Sequence, residues 1–345
     1  MEFEANCLTT GIGSVPCTDA AAACDMVFEY FDVPYWPQLP RKSSKESMPQ
    51  FFEGFPGFVA EGDKLYIDPE IFESQLGSFY QRIVDFETHG ISEDFAIGER
   101  YARGLHWFLK FKERMKGVKA VKGQIIGPIS FGLNVTAANG KPMIYDDTMR
   151  DTLIRNLQMK VRYQEELLRT VSPNVMIFID ESSLDLIYSP HIGYDEVKAK
   201  QDLQAILGVI RGLRGVHCCT NTNWPFLLDL VDVISFDAYN YSHRFVLHPG
   251  AIRDFTQKGG IIAWGIVPTS EDVFKEDADS LMNRLEYSFE YLAANGIEYE
   301  DLLRQSLITP ACGLGTRSMQ TTVRAFELTR EVSGRLRQKY SLQVP

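Results

Sequence analysis

Short apolar segments alternate with amphipathic segments along most of the chain. Several apolar segments lack a period of two, as expected when both faces of a parallel strand are covered. They predict eight strands: Leu8–Ile12, Val33–Trp36, Gln124–Ile129, Val175–Ile179, Val216–Cys219, Val233–Phe236, Gly260–Gly265 and Leu307–Thr309. Helical periodicity is clearest in four segments: Thr148–Val171, Asp195–Arg214, Glu271–Ala294 and Thr316–Tyr340. Repeated strand-then-helix units favour an α/β fold, a single (β/α)8 TIM barrel over residues 1–345, with a doubly wound open sheet as the alternative.

The segment between the second and third predicted strands, about residues 38–117, is long and irregular. It contains an apparent hairpin, F-V-A-E-G-D-K-L-Y-I-D, which turns at Glu61–Asp63. Because so long a structureless loop is uncommon in a compact domain, we expect this insertion to cap the barrel mouth. Its aromatic residues include Phe51, Phe52, Phe55 and Phe58. We expect these rings to pack over the barrel, and a partner-binding surface is the alternative.

Composition narrows the classes of partner. The 35 basic and 46 acidic residues give a net charge of −11, which disfavours nucleic acids and anionic membrane surfaces. Six cysteines at irregular spacing indicate reduced thiols and no disulfide framework. No basic start with an apolar stretch and no membrane-length apolar run is found in the sequence. We therefore predict a cytoplasmic protein with small-molecule or protein partners.

Three soft metal ligands lie at or just after predicted strands. His217 and Cys219 belong to V-H-C-C, and Cys312 belongs to P-A-C-G-L-G-T-R. Strand side chains alternate, so His217 and Cys219 should point to one side while Cys218 points away. A parallel barrel builds its active site at these strand ends. The alternative is a core histidine beside buried structural cysteines.

Asp237, at the end of D-V-I-S-F-D, adds a carboxylate to this set. Two thiolates, an imidazole and a carboxylate suit a tetrahedral Zn²⁺ site. The sequence therefore predicts zinc bound by His217, Cys219, Asp237 and Cys312. Asp237 can equally be a helix N-cap or a surface acid.

Six sequence blocks carry a family resemblance. In chain order they are T-T-G-I-G-S-V-P, I-I-G-P-I-S-F, F-I-D-E-S-S-L, V-H-C-C, D-V-I-S-F-D and P-A-C-G-L-G-T-R. They resemble the catalytic C-terminal domain of cobalamin-independent methionine synthase, and the resemblance covers nearly the whole chain. That family belongs to a barrel superfamily that includes uroporphyrinogen decarboxylase. The resemblance implies zinc held by His217, Cys219 and Cys312, with Asp237 standing where the family carries a glutamate.

The resemblance also implies a substrate site. Ile12, Gly13 and Ser14 match a block whose backbone and hydroxyl bind the carboxylate of an amino acid. Asp180 matches an acid that binds the substrate ammonium. The alternative role for Asp180 and for the adjacent Glu181 is a buried ion pair or a helix cap. Gln50 stands near the position of a second ammonium-binding acid and brings no charge.

Two further departures concern the methyl donor and proton handling. The block W-G-I-V-P-T-S lacks the histidine that the family places near its zinc. The large N-terminal barrel, which helps the full-length synthase to bind folate, has no counterpart in this sequence. The absent barrel disfavours folate as the donor. The missing histidine indicates that the donor, the acceptor or both differ from those of the synthase.

We predict a zinc-dependent methyltransferase in which His217, Cys219 and Cys312 are catalytic. It would methylate homocysteine or a related small thiol, since zinc converts a bound thiol to a thiolate near neutral pH. The predicted donor is a methylcorrinoid or a corrinoid protein, with a methylated folate as second choice. The alternatives are a metal-free lyase resembling uroporphyrinogen decarboxylase and a non-catalytic accessory protein of a corrinoid methyl-transfer system. Arg317 alone among the strand ends is basic, which disfavours the lyase, and no D-x-H-x-x-G corrinoid signature is found.

Overall fold

The computed structural model describes residues 3–40, 49–61, 64–90 and 92–342. The described residues form the following strands: β1 (Leu8–Thr9), β2 (Phe58–Glu61), β3 (Lys64–Ile67), β4 (Val121–Ile126), β5 (Thr136–Ala137), β6 (Val175–Asp180), β7 (Leu213–Cys218), β8 (Val233–Phe236), β9 (Ile261–Val267) and β10 (Ser306–Pro310). Seven of them make one sheet in the order β1, β10, β9, β8, β7, β6, β4. Every neighbouring pair in this sheet is parallel. Such a sheet needs helical crossovers.

The crossovers are helices that pack on the outer face of the sheet. The described helices are α1 (Ala20–Tyr30), α2 (Pro49–Phe52), α3 (Pro69–His89), α4 (Arg103–Phe108), α5 (Pro128–Asn134), α6 (Asp147–Arg169), α7 (Glu196–Leu207), α8 (Trp224–Leu228), α9 (Ala238–Phe245), α10 (Pro249–Gln257), α11 (Ala278–Ala294), α12 (Tyr299–Arg304) and α13 (Met319–Lys339). Contacts of α6 with β4 and β6, and of α13 with β10, β9 and β1, cover the sheet. None of the described helices has both the length and the apolar composition that crossing a membrane requires.

Local chemistry moves several boundaries from their predicted places. The third predicted strand, Gln124–Ile129, lies instead at Val121–Ile126, because Pro128 occupies the first turn of α5. The helix predicted to start at Glu271 starts at Ala278, where Asp277 and Ser280 form a capping box. The helix predicted over Asp195–Arg214 ends at Leu207 because Leu213 already belongs to β7.

The predicted second strand, Val33–Trp36, is not a regular strand. Its backbone nevertheless reaches both edges of the sheet, since Val33 N–H donates to Thr9 O at 2.9 Å and Lys122 N–H donates to Pro34 O at 2.9 Å. Only an isolated parallel bridge, between Tyr35 and Lys122, is present. Pro34 lacks the N–H that a ladder needs. The structure therefore shows a curled seven-stranded parallel sheet, and a complete (β/α)8 barrel remains a prediction.

The predicted hairpin in the insertion is confirmed. β2 and β3 pair antiparallel, and β5 adds to β3 in parallel. Residues 62 and 63 of the predicted turn lie outside the described residues. The aromatic side chains pack as expected: the ring centroids of Phe52 and Phe58 lie 4.6 Å apart, and those of Phe52 and Phe131 lie 4.3 Å apart. Phe51, Phe52 and Phe55 are buried.

Candidate metal centre and adjoining cleft

Three predicted ligands meet at the carboxyl end of the sheet. One ligand atom from each of His217, Cys219 and Cys312 lies within 4.8 Å of the other two. His217 belongs to β7, Cys219 directly follows it, and Cys312 lies two residues after β10. Because β8 and β9 separate these strands, a flat sheet would hold them about 14 Å apart. The curl of the sheet therefore assembles the group.

The imidazole of His217 is fixed with one nitrogen free. Its Nδ1 lies 2.9 Å from Ser235 Oγ, on the neighbouring strand β8. Its Nε2 is buried and has no hydrogen-bond partner among the described residues. A buried imidazole nitrogen without a partner is costly unless a ligand completes it. With two cysteine sulfurs beside it, this donor set fits a tetrahedral metal ion such as zinc.

The two thiols of the group are coupled to each other. A hydrogen bond from Cys312 lowers the pKa of Cys219 despite burial. The same contact, together with burial, raises the pKa of Cys312. The contact therefore makes Cys219 easier to ionise and Cys312 harder to ionise. A bound metal cation would stabilise both sulfurs as thiolates.

Cys218 points away from the group, as strand alternation predicts. It is fully buried, and its Sγ lies 3.5 Å from Thr220 O. Burial raises its pKa to about 11, so it stays a neutral thiol at physiological pH.

Asp237 lies at the N-terminus of α9 and is outside the three-residue group. Its Oδ1 accepts from Asn240 N–H at 2.9 Å, and its Oδ2 accepts from Asn240 Nδ2 at 2.7 Å. Burial raises its pKa, against the opposing effect of these bonds. The structure gives Asp237 the capping role that the sequence left open, and its ligation of a metal remains a prediction.

A cleft of about 310 Å³ adjoins the group. Its lining includes Ser14, Gln38, Phe51, Asp180 and Gly313. Gly313 follows Cys312 in the chain, and Asp180 pairs in register with His217. The cleft thus brings the predicted substrate-binding residues Ser14 and Asp180 beside the predicted metal ligands.

The segment Ile12–Ser14 is tied to the loop that carries Cys312. Ser14 Oγ accepts from Gly315 N–H at 3.1 Å, and Ser14 O accepts from Leu314 N–H at 3.0 Å. A Cβ on Gly13 would lie 2.9 Å from Gln38 Oε1, so no side chain fits there. These bonds hold the first and last strand-end loops against each other.

Asp180 ends β6 with an unpaired oxygen. Its Oδ1 is buried and has no hydrogen-bond partner among the described residues. Burial raises its pKa, while the positive charge of Lys122 opposes that shift. A buried carboxylate oxygen facing a cleft is suited to bind a cation. Gln50 is buried and is not one of the described residues that line the cleft.

Two solved structures with TM-scores above 0.5 share the fold of this chain. A methyltransferase from Methanosarcina mazei gives a TM-score of 0.57 at 12% sequence identity, over 94% of this chain and 91% of its own. A Listeria monocytogenes protein assigned as a vitamin-B12-independent methionine synthase gives 0.55 at 16% identity, over 94% of this chain and 86% of its own. Neither a protein-family model nor a curated protein sequence matches the chain.

A B12-independent methionine synthase from Shewanella sp. W3-18-1, in complex with selenomethionine, aligns with a smaller part of this chain. It gives a TM-score of 0.49 at 14% identity, over 68% of each chain. Identities this low establish a shared fold and no shared activity. The resemblance indicated by the sequence blocks is confirmed in the fold.

Sequence reasoning missed Lys122 and Ser235, and it left the role of Glu181 open. Lys122 is a charged residue within the otherwise uncharged segment V-K-G-Q-I-I, which was a usable signal. The contact of Ser235 with His217 can be recognised only once β7 and β8 are paired. Glu181 caps α5, accepting from Ile129 N–H at 2.9 Å and from Ser130 N–H at 2.9 Å.

Proposed function

We propose that the protein is a zinc-dependent methyltransferase that methylates the sulfur of homocysteine or a related small thiol. The observation that carries this proposal is the convergence of His217, Cys219 and Cys312 beside a small polar cleft. An unpaired imidazole nitrogen and two coupled thiols are unfavourable as a metal-free core. This disfavours a metal-free lyase.

His217, Cys219 and Cys312 would hold the ion, and Asp237 is the proposed fourth ligand. Bound zinc would keep an acceptor thiol as its thiolate, the form that attacks an electrophilic methyl group. Asp180 would bind the ammonium of a thiol amino acid, and its unpaired Oδ1 supports this role. Ser14 and the neighbouring backbone of Ile12 and Gly13 would bind its carboxylate.

We also infer the architecture around the site. The extended segment 33–36 would close the sheet into a single (β/α)8 barrel, because it bonds to Thr9 on one side and Lys122 on the other. The insertion of about residues 38–117 would cap the mouth. Phe51, which lines the cleft from this insertion, supports that position. A cleft closed from above would exclude water from the methyl transfer.

The methyl donor is proposed from the sequence comparison. A methylcorrinoid, free or carried by a corrinoid protein, is the first choice, and a methylated folate is the second. A cytoplasmic location also remains a prediction.

Elemental analysis tests the metal. Protein purified without added metal should contain close to one zinc per chain, because three strong ligands hold the ion tightly. Less than about one-tenth of an ion per chain, with no gain after reconstitution, would contradict the proposal.

A transfer assay tests the chemistry. Wild type and Cys312→Ser are supplied with free methylcobalamin and homocysteine, and methionine is quantified by mass spectrometry. We expect methionine from the wild type only. Equal rates in both proteins would exclude the zinc-thiolate mechanism, and methionine from neither would leave methylated folate as the donor to assay.

A further inference from the structure

Lys122 is a fully buried lysine on the inner face of the sheet. It shows 0% exposure and lies on β4. A Cβ on the next residue, Gly123, would lie 2.1 Å from Gln164 Oε1 of the outer helix α6. Strand side chains alternate, so Lys122 faces the concave side. Burial of a charged group is costly and calls for specific partners.

The ammonium of Lys122 has such partners. Its Nζ donates to Ile12 O at 2.7 Å and to Gln124 Oε1 at 3.1 Å. It also lies 4.7 Å from the ring centroid of Phe178. Burial lowers its pKa to about 8 and the charge of Asp180 opposes this, so the ammonium is largely protonated at pH 7. The shortest of these contacts, the hydrogen bond to Ile12 O, reaches the predicted carboxylate-binding segment.

The bond to Ile12 sets the direction of a peptide group. All described peptide bonds are trans, and a trans peptide points its C=O and its following N–H in opposite directions. With Ile12 C=O drawn towards Lys122, the N–H of Gly13 points away from the ammonium. Within the described ranges, no acceptor pairs with the N–H of Gly13 or Ser14. Ser14 lines the cleft.

The charge of Lys122 complements this arrangement. No lysine or arginine is among the described residues that line the cleft. The ammonium of Lys122 lies on the C=O side of the Ile12–Gly13 peptide. It polarises this peptide and so increases the partial positive charge on the N–H of Gly13. Free N–H groups with a positive charge behind them favour an anion. Asp180, whose charge acts on Lys122, also lines this cleft and brings the opposite charge.

We propose that Lys122 is a positioning residue that fixes the Ile12–Gly13 peptide for recognition of the acceptor's carboxylate. This rests on the proposed function, because it assumes a thiol amino acid as acceptor. Lys122 does not touch the acceptor. It makes the protein select thiols that carry a carboxylate over aminothiols that lack one.

Binding of two thiols that differ only in the carboxylate tests this role. L-homocysteine and 3-aminopropane-1-thiol are titrated calorimetrically into zinc-loaded wild type and Lys122→Met. Wild type should prefer homocysteine by about 10-fold to 100-fold, the range expected for hydrogen bonds to a charged group. Removing Lys122 also changes the charge beside Asp180, but that effect falls on the ammonium of both thiols alike. Lys122→Met should therefore lose most of the preference for homocysteine.

Lys160→Met is the matched control. Lys160 is also 0% exposed and donates to a backbone carbonyl, Ala96 O, at 3.0 Å, but it does not line the cleft. It should keep the wild-type preference. If Lys122→Met does not melt cooperatively, Lys122→Gln replaces it, keeping an N–H donor without charge, and an intermediate preference is expected.

The outcomes separate the two proposals. An unchanged preference in Lys122→Met or Lys122→Gln overturns the role of Lys122 and leaves the methyltransferase proposal standing. Equal loss in Lys160→Met shows a general effect of removing a buried lysine and also overturns it. A wild type that binds both thiols equally contradicts the amino-acid acceptor itself.

Discussion

The polar groups at the two ends of the parallel sheet have different surroundings. At the amino end, Arg214 and Asp232 are joined by side-chain hydrogen bonds of 2.9 and 2.7 Å, and Arg214 N–H adds one of 3.0 Å. At the carboxyl end, Asp180, His217 and Thr309 each keep a buried polar atom without a partner in the described structure. The amino end has such an atom too, Gln305 Oε1 just before β10. What distinguishes the carboxyl end is that the unpaired atoms of Asp180 and His217 lie at the cleft and in the ligand group.

This difference separates stability from function within one fold. An unsatisfied buried polar group lowers the free energy of unfolding by roughly 1–3 kcal/mol. Several such groups at one end therefore remove a large part of the stability of a typical domain. Such groups persist where a ligand completes them. Parallel barrels carry their active sites at the carboxyl end and use the opposite end for stability. The unpaired atoms of Asp180 and His217 therefore support the proposal that the carboxyl end is the functional end of this molecule.

Removing a thiol at the carboxyl end should have the largest effect. Cys219→Ser should lose stable zinc binding and methyl transfer, since two remaining ligands no longer make a tight site. Zinc content by elemental analysis is the measurement. Cys218→Ser is the control, because that neighbouring sulfur bonds to Thr220 and faces away. Zinc lost equally from both variants would contradict the assignment of alternate faces.

Ser235→Ala should have the next largest effect. The hydroxyl holds His217 Nδ1 at 2.9 Å, and loss of such a supporting bond typically weakens metal affinity about 10-fold to 100-fold. Competition with a chelator measures the zinc affinity. Ser306→Ala is the control, because Ser306 accepts from Trp264 Nε1 at 3.0 Å at the amino end. It should lose stability and keep its zinc affinity.

The sequence was most informative where period and residue type agree. The strand Val233–Phe236 was predicted with its observed bounds, and β6 was missed by one residue. Alternation along β7 correctly separated Cys218 from His217 and Cys219. These features depend on neighbours in the chain, which a sequence displays directly.

Features that depend on distant chain segments were harder to predict. The segment Val33–Trp36 has strand-like composition, but Pro34 has no N–H to donate. The segment therefore makes one backbone hydrogen bond to Thr9 and one to Lys122 and forms no regular strand. Whether Asp237 reaches the metal also depends on distant segments, whereas its bonds to Asn240, three residues later, give the N-cap role that the sequence had left open. Lys122 went unnoticed because its partner Ile12 lies 110 residues away.

Asp237 offers a test with a smaller effect. Asp237→Ala should lower the free energy of unfolding by about 1 kcal/mol through loss of the α9 cap, whereas Asp237→Asn should keep the cap and the stability. Denaturant unfolding measures both. Because Asp237 is the proposed fourth ligand, Asp237→Asn should bind zinc more weakly, while His217, Cys219 and Cys312 still hold the ion. An unchanged zinc affinity in Asp237→Asn would limit Asp237 to the capping role that its bonds to Asn240 give it.

Arg214→Met should have the smallest effect, confined to stability at the amino end. The Arg214–Asp232 pair is partly exposed, so its loss should cost about 1 kcal/mol at pH 7, with zinc content unchanged. Burial raises the pKa of Asp232, but the hydrogen bonds from Arg214 outweigh it and leave that pKa below its usual value. A depressed pKa stabilises the fold above the unfolded-state value of about 3.9 and loses that contribution at lower pH.

The difference in unfolding free energy between wild type and Arg214→Met should therefore stay constant from pH 7 to pH 5 and shrink below about pH 3.9. Urea denaturation across this range measures it. Reduced zinc content in Arg214→Met would show that the two ends are coupled, because its amino-end position on β7 gives it no contact with the ligand group. An unchanged zinc content with lowered stability would confirm that one end of the sheet can be weakened while the other keeps its metal.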